Sequence, residues 1–200
     1  VPVIVRAQRS DVARLRIQLA DAFRDDPVAS WLFPEAQTRK RDLEIFFATQ
    51  LRHGYLPRGI VMKSDDDLAS AMWMPSWTEP LGTYDRLCHL RIPILMRSEF
   101  RLARSLTRML ADAHPREPHL YLGTIGTDLS VRGRGYASAL LDELDRHANK
   151  QFVGAYLECS QEENVGFYER RGFSVLSEVK APFGGPRLWL MWRHPNTELS

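Results

Sequence analysis

Two hundred residues, 44% of them hydrophobic, suffice for one buried core, and no proline- or glycine-rich linker divides the chain into domains. No apolar run approaches the roughly eighteen residues of a membrane span, and no charged-then-apolar secretory start is visible, so a soluble cytoplasmic protein that makes no use of a membrane is expected. The formal net charge of +2 comes from scattered arginines and gives no sign of a nucleic-acid partner.

In chain order, a first strand is expected over 2–6 and a helix over 11–24, followed by Asp25-Asp26-Pro27 with Trp31 and Phe33. Leu43, Phe46, Phe47 and Leu51 mark a second amphipathic helix. Strands over 59–63 and 68–74 then form a hairpin across Asp65-Asp66-Asp67. Trp73 and Met74 end the second of these strands, and Trp73 and Trp31 are the candidate contacts for an acceptor substrate. A helical insertion over 81–112 follows, where Arg97, Arg101, Arg104 and Arg108 recur at helical spacing as a solvated face. Cys88 and Cys159 lack C-x-x-C spacing and the six histidines lack ligand spacing, so neither a metal site nor a disulfide framework is expected. His119, which enters the next strand, is the histidine to watch.

The run Leu120 to Thr127 is rich in β-formers, and Ala137, Leu140, Leu141, Leu144 and Ala148 share one helical face. Between them stands Arg132-Gly133-Arg134-Gly135-Tyr136-Ala137. Strand, glycine turn and helix make an anion site, because the first helical N–H groups lack intrahelical partners and carry the positive end of the helix dipole. Three phosphate-binding designs use that logic. A dinucleotide fingerprint wants a third glycine where Ser138 stands, and a P-loop wants Gly-Lys-Ser/Thr, which Gly135-Tyr136-Ala137 does not supply. The remaining pattern, Arg/Gln-x-x-Gly-x-Gly/Ala, fits at Arg132, Gly135 and Ala137.

After a strand over 152–158 comes a second element, Asn164-Val165-Gly166-Phe167-Tyr168-Glu169-Arg170-Arg171-Gly172-Phe173, a short helix stopped by Gly172 that leads into a strand over 173–179. The turn and this element together, in this order and separation, resemble the two hallmarks of the GNAT superfamily of N-acetyltransferases. The segments His114 to Thr124, Tyr156 to Ser160 and Gly185 to Met191 are similar to puromycin N-acetyltransferase-like proteins. The resemblance implies a single α/β (α+β) domain over 1–200, with a mixed, mostly antiparallel sheet flanked by helices and the 81–112 insertion on the acceptor side. It implies acetyl-CoA as co-substrate, held by Ile125 and Thr127 of the central strand, by Arg132, Gly133, Arg134, Gly135, Tyr136, Ala137 and Ser138 of the turn, and by Asn164 on the pantetheine arm.

Acetyl transfer from a thioester to an amine sets the remaining demands. A base must take the proton of the attacking amine, donors must meet the oxyanion, and an acid must meet the departing thiolate. Tyr168 is the candidate acid, with oxyanion donors expected around Ile125 to Thr127 and Gly126 allowing close approach. Glu158 is the first choice of base and Asp128 a weaker one. An ordinary glutamate, near about 4.3, is weak for this task, so burial beside Phe152 or Tyr156 must raise it or a water must share the work. Cys159 as an acetyl carrier is disfavoured, because no histidine lies nearby in sequence to activate it. The expected reaction is direct attack by the primary amine of a small molecule in a ternary complex, by a monomer or homodimer. The alternatives are acetylation of a peptide or protein amine and a non-catalytic acyl-CoA-binding regulatory module.

Overall fold

Strand β1 (Ile4–Arg6) pairs antiparallel with β2 (Ile60–Ser64), and β2 turns back as β3 (Ala69–Pro75), giving the expected hairpin. The computed structural model describes residues 2–78 and 100–195 of the chain. Next to β3 runs β4 (His119–Thr127), then β5 (Gly154–Cys159), and the sheet closes with β6 (Ser174–Lys180) and β7 (Arg187–Arg193) in the order β1-β2-β3-β4-β5-β7-β6. Only β4 and β5 are parallel, and a parallel pair requires a crossover. The sheet is therefore mixed and mostly antiparallel, as expected.

Seven helices of the described residues flank it: α1 (Val12–Ala22), α2 (Pro27–Leu32), α3 (Ala36–Thr49), α4 (Leu56–Arg58), α5 (Phe100–Ala113), α6 (Tyr136–Gln151) and α7 (Glu162–Glu169). The crossover is α6, whose Leu140, Leu141, Leu144 and Ala148 are fully buried on one sheet face with Leu120, Leu122, Ala155 and Leu157. On the other face α1 and α3 bury Leu15, Leu19, Leu43 and Phe47 against Val61 and Met72. The 3.6-residue stripe explains both packings, since each helix turns one apolar side to the sheet.

Several expectations are corrected here. Helix α2 stands over the segment of Asp25-Asp26-Pro27 and Trp31, for which no helix is expected from the sequence; Asp26 caps it by accepting from the Val28 and Ala29 N–H groups at 2.9 Å, with Pro27 at the first helical position. Phe152 does not open a strand. It ends α6 in the left-handed conformation, with φ of 52°, and is 64% exposed. Of the 81–112 insertion, residues 81–99, with Arg97, lie outside the described residues; α5 follows, with Arg101, Arg104 and Arg108 exposed. A π-helical turn (Gln50–Tyr55) interrupts the passage from α3 to α4 and re-aims Tyr55 toward the sheet.

Candidate active site

The site opens where the parallel ladder ends. β4 and β5 are in register from His119 opposite Gly154 to Leu122 opposite Leu157, and then part. At the same place the β3 register shifts, with Trp73 opposite Leu122 and Met72 opposite Thr124, so that Gly123 is an extra residue on β4. A bulge on one side and a lost neighbour on the other leave a cavity of about 620 Å³, floored by Leu122 to Thr127 of β4 and walled by Glu158, Cys159, Ser160 and Tyr168.

The glycine turn forms its far end. Asp128, the weaker candidate base, caps the short 3₁₀ turn (Leu129–Val131), its carboxylate accepting from the Ser130 N–H at 2.9 Å. Gly133 and Gly135 have φ of 75° and 83°, a region costly for residues with a Cβ, and each faces open space. The first intrahelical bond of α6 runs from the Ala139 N–H to the Gly135 carbonyl at 2.9 Å, so the amides of Tyr136, Ala137 and Ser138 precede the ladder. Ile125, Thr127, Arg132, Gly133, Gly135, Tyr136, Ala137, Ser138 and Asn164 all line the cavity, whereas Arg134 belongs to the turn but not to the lining. Tyr136 also donates its hydroxyl to Asp66 at 2.7 Å, tying the start of α6 to the β2–β3 turn. Open amides, absent Cβ atoms and an adjoining cavity fit a phosphate-bearing thioester. Gly126 lines the cavity and also has a packing role: a Cβ there would meet Leu19 at 3.0 Å and Ala22 at 3.1 Å, so its bareness lets α1 pack on β4.

Glu158 lies on the face of β5 opposite α6, with its side chain only 8% exposed. Tyr121 donates to it at 2.6 Å. Burial pushes its carboxyl up to about 6, against the Tyr121 and Tyr156 hydroxyls, which favour the ionised form. The Tyr156 hydroxyl is near enough to contribute in this way yet makes no well-formed hydrogen bond and is buried. Tyr55, delivered by the π-helical turn, stands directly over Gly123, where a Cβ would lie 2.0 Å from its hydroxyl oxygen. Burial, and then the Glu158 charge, raise both Tyr55 and Tyr121, so both remain neutral donors. The environment of Glu158 thus includes Tyr121, Tyr156, Tyr55 and His114, whose Nδ1 is 4.0 Å from Oε1; exposed Phe152 has no part in it. Period-two alternation in β4 and β5 could have paired Tyr121 with Glu158, whereas nothing local announced the π-helical turn that brings Tyr55.

Tyr168 is 8% exposed and packs edge-on against Phe167 and Phe173 at 5.3 and 5.9 Å. Burial raises its hydroxyl well above the usual range, with Cys159 adding to the effect, which keeps it protonated and able to donate. Cys159 is buried, its thiol directed at the Gln161 carbonyl at 3.1 Å, and burial raises its pKa as well. A thiol so held is a poor nucleophile. Ser160 donates to Asp26, joining β5 to the cap of α2. The two tryptophans are not at the cavity. Trp73 is fully buried on the α6 face, its ring 6.3 Å from that of His147, and Trp31 packs over Gly185 in a satellite cluster with Ala181 and Leu188. Among the described residues no group of three or more His, Cys, Asp or Glu side chains could hold a metal ion, and no helix is long and apolar enough to cross a membrane.

Comparison with known proteins agrees with this geometry. Residues 21–173 match the acetyltransferase (GNAT) family. An uncharacterised N-acetyltransferase of Schizosaccharomyces pombe is 25% identical over 210 residues, covering 96% of this chain and 83% of its own. A solved structure described as histone acetyltransferase HPA2 and related acetyltransferase, from Corynebacterium glutamicum, superposes with a TM-score of 0.73 at 22% identity, over 100% of this chain and 99% of that one. Arylalkylamine N-acetyltransferase 2 from Aedes aegypti does so with a TM-score of 0.62 at 13% identity, covering 97% and 99%. The two structural likenesses speak for the fold, while the family match spans the open strand pair, the glycine turn and the tyrosine helix alike; this chain belongs to the acetyltransferase (GNAT) family.

Proposed function

We propose that this protein transfers an acetyl group from acetyl-CoA to the primary amine of a small molecule, by direct attack in a ternary complex. The observation that carries the reading is that three elements line one cavity: the glycine turn with its bare amides, Glu158 and Tyr168. The turn and Asn164 hold the nucleotide and pantetheine parts of acetyl-CoA, and β4 past its last β5 pairing offers amides to the oxyanion. Glu158, raised to about 6, is ionised at neutral pH yet more basic than an ordinary carboxylate, which suits it to take a proton from the attacking ammonium. Tyr168 stays protonated and donates to the leaving thiolate.

Cys159 lines the cavity, but its thiol is directed at the Gln161 carbonyl and burial raises its pKa, which favours attack on the thioester by the amine itself over an acyl-enzyme. The similarity of the 114–124, 156–160 and 185–191 segments to puromycin N-acetyltransferases places puromycin on the list of amines to test. The decisive assay is release of free CoA thiol from acetyl-CoA across a panel of arylalkylamines, polyamines, puromycin and N-terminal peptides. Thiol release dependent on a small amine, and lost in Glu158→Gln, is the expected result. Release driven only by peptides would replace the acceptor class, and binding of acetyl-CoA without release by any amine would replace catalysis with a sensor role.

A further inference from the structure

Acetylation of an ammonium by a thioester sets free one proton overall. The ammonium brings three N–H protons; one stays on the amide, one ends on the CoA thiol, and one must leave. If Glu158 takes that last proton, it holds it in a site whose side chain is only 8% exposed. A buried base must be emptied before the next turnover.

Two histidines stand on the side of Glu158 away from the glycine turn. The His119 Nδ1 lies 2.6 Å from the Glu117 carbonyl oxygen, which has only lone pairs, so that nitrogen carries the hydrogen. Neutral His119 then has a bare Nε2, and this accepts from His114, whose Nε2 is 3.0 Å away. His114 Nε2 therefore carries its hydrogen, and the lone pair of neutral His114 is on Nδ1. That lone pair is the atom turned to Glu158, with Nδ1 4.0 Å from Oε1. A shift of about 1 Å by a side chain that follows the end of α5 closes the gap to hydrogen-bond length. The His114 side chain is 32% exposed, while His119 is fully buried. The chain of contacts thus runs from a closed carboxyl to a ring that reaches solvent.

We propose that His114 is the proton exit of this site, taking the proton from Glu158 on Nδ1 and releasing it to bulk water, and that His119 is a positioning residue that fixes the tautomer able to do so. The inference rests on Glu158 acting as the base. The step balances simply: the O–H bond of protonated Glu158 breaks, an N–H bond forms on His114 Nδ1, and the imidazolium so formed returns the proton to water, leaving Glu158 ionised. Groups facing His114 are His119 and Tyr121 of β4 and Tyr156 and Glu158 of β5, with ring centroids of Tyr121 and Tyr156 at 5.2 and 4.8 Å. Both tyrosines stay neutral because burial raises them, so Glu158 is the charge that an imidazolium would meet. Burial, and then His119, hold His114 down at about 4, which keeps Nδ1 bare at neutral pH and makes its hold on the proton brief.

The test uses the full chain with acetyl-CoA and the best amine of the panel. His114→Gln keeps a donor for His119 but cannot carry a proton, and His114→Ala leaves room for an external base. With folding checked by Tm, kcat is expected to fall at least about tenfold in both variants while the amine KM and acetyl-CoA affinity change less than about twofold. Added imidazole is expected to restore most of the His114→Ala rate, and buffer concentration to raise the rate of both variants but not of wild type. Unchanged kcat, or a loss that no small base repairs, overturns the proton exit. Glu158→Gln measured in parallel separates the two readings: if it remains active the base assignment falls, and if it is inactive while His114→Gln turns over normally, only the exit falls.

Discussion

At the scale of single residues, Glu158 shows stability given up for chemistry. Its carboxyl is raised from 4.5 to about 6, so burial favours the protonated form. A carboxyl raised in this way contributes stability below its unfolded value, and that contribution is lost as pH rises through about 6. At neutral pH the ionised group therefore costs about 2 kcal/mol. Replacing it by glutamine, which still accepts from Tyr121, is expected to raise Tm at pH 7.5 while lowering kcat by about two orders of magnitude or more. A variant that loses neither rate nor gains stability would remove both assignments. The same value predicts that kcat/KM of wild type climbs with pH and levels off above about 6, and that this limb is absent in Glu158→Gln. Tyr168→Phe keeps the ring contacts with Phe167 and Phe173 but removes the donor. Its kcat is expected to drop about tenfold or more with Tm little changed; an unaltered kcat would end the general-acid role.

Among elements, the departure of β4 from β5 and the bulge at Gly123 create the site, and α1 holds the far part of β4 in place. Gly126→Val would drive a side chain into Leu19 and Ala22, whose atoms lie 3.0 and 3.1 Å from the position of a Cβ. Overpacking of this kind costs about 1–3 kcal/mol, and a displaced α1 is expected to lower Tm by several degrees and weaken acetyl-CoA binding together. If the valine variant kept wild-type Tm, close packing of α1 on β4 would not be what Gly126 provides. The elements also explain what was legible in the sequence. The glycine turn could be read because Gly133 and Gly135 adopt positive φ, and Gly172 was legible as a helix stop for the same reason, at 80°. Trp73 could not be read correctly. Residues Ala69 to Trp73 are all buried, since helices cover both faces of β3, so no polar alternation marks one face from the other even though Ala69, Ala71 and Trp73 share the α6 face and Met72 the opposite one. Tyr55 was invisible because a π-helical turn, not an apolar stripe, directs it. Glu158 ends the strand expected over 152–158, but its basicity comes from burial, which outweighs the Tyr121 and Tyr156 hydroxyls and which spacing along β5 does not reveal.

For the whole molecule, two helical layers close over one mixed sheet, and the cavity sits where neither layer nor ladder is complete. Ion pairs of Arg193 with Asp145 and of Arg171 with Asp142 tie β7 and the segment after α7 to the middle turn of α6, the helix that presents the phosphate amides. A ligand that binds this folded state at about a hundred times its dissociation constant adds roughly 2.7 kcal/mol of stability, enough for a clear thermal shift. Calorimetric titration of wild type and Gly135→Val with acetyl-CoA tests the central claim most directly, because valine is strained at a φ of 83° and its side chain would stand among the phosphate-facing amides. Saturable binding to wild type, with affinity weakened at least about tenfold in a variant that remains folded, is the predicted result. No heat with wild type, or equal affinity in the two proteins, would contradict it.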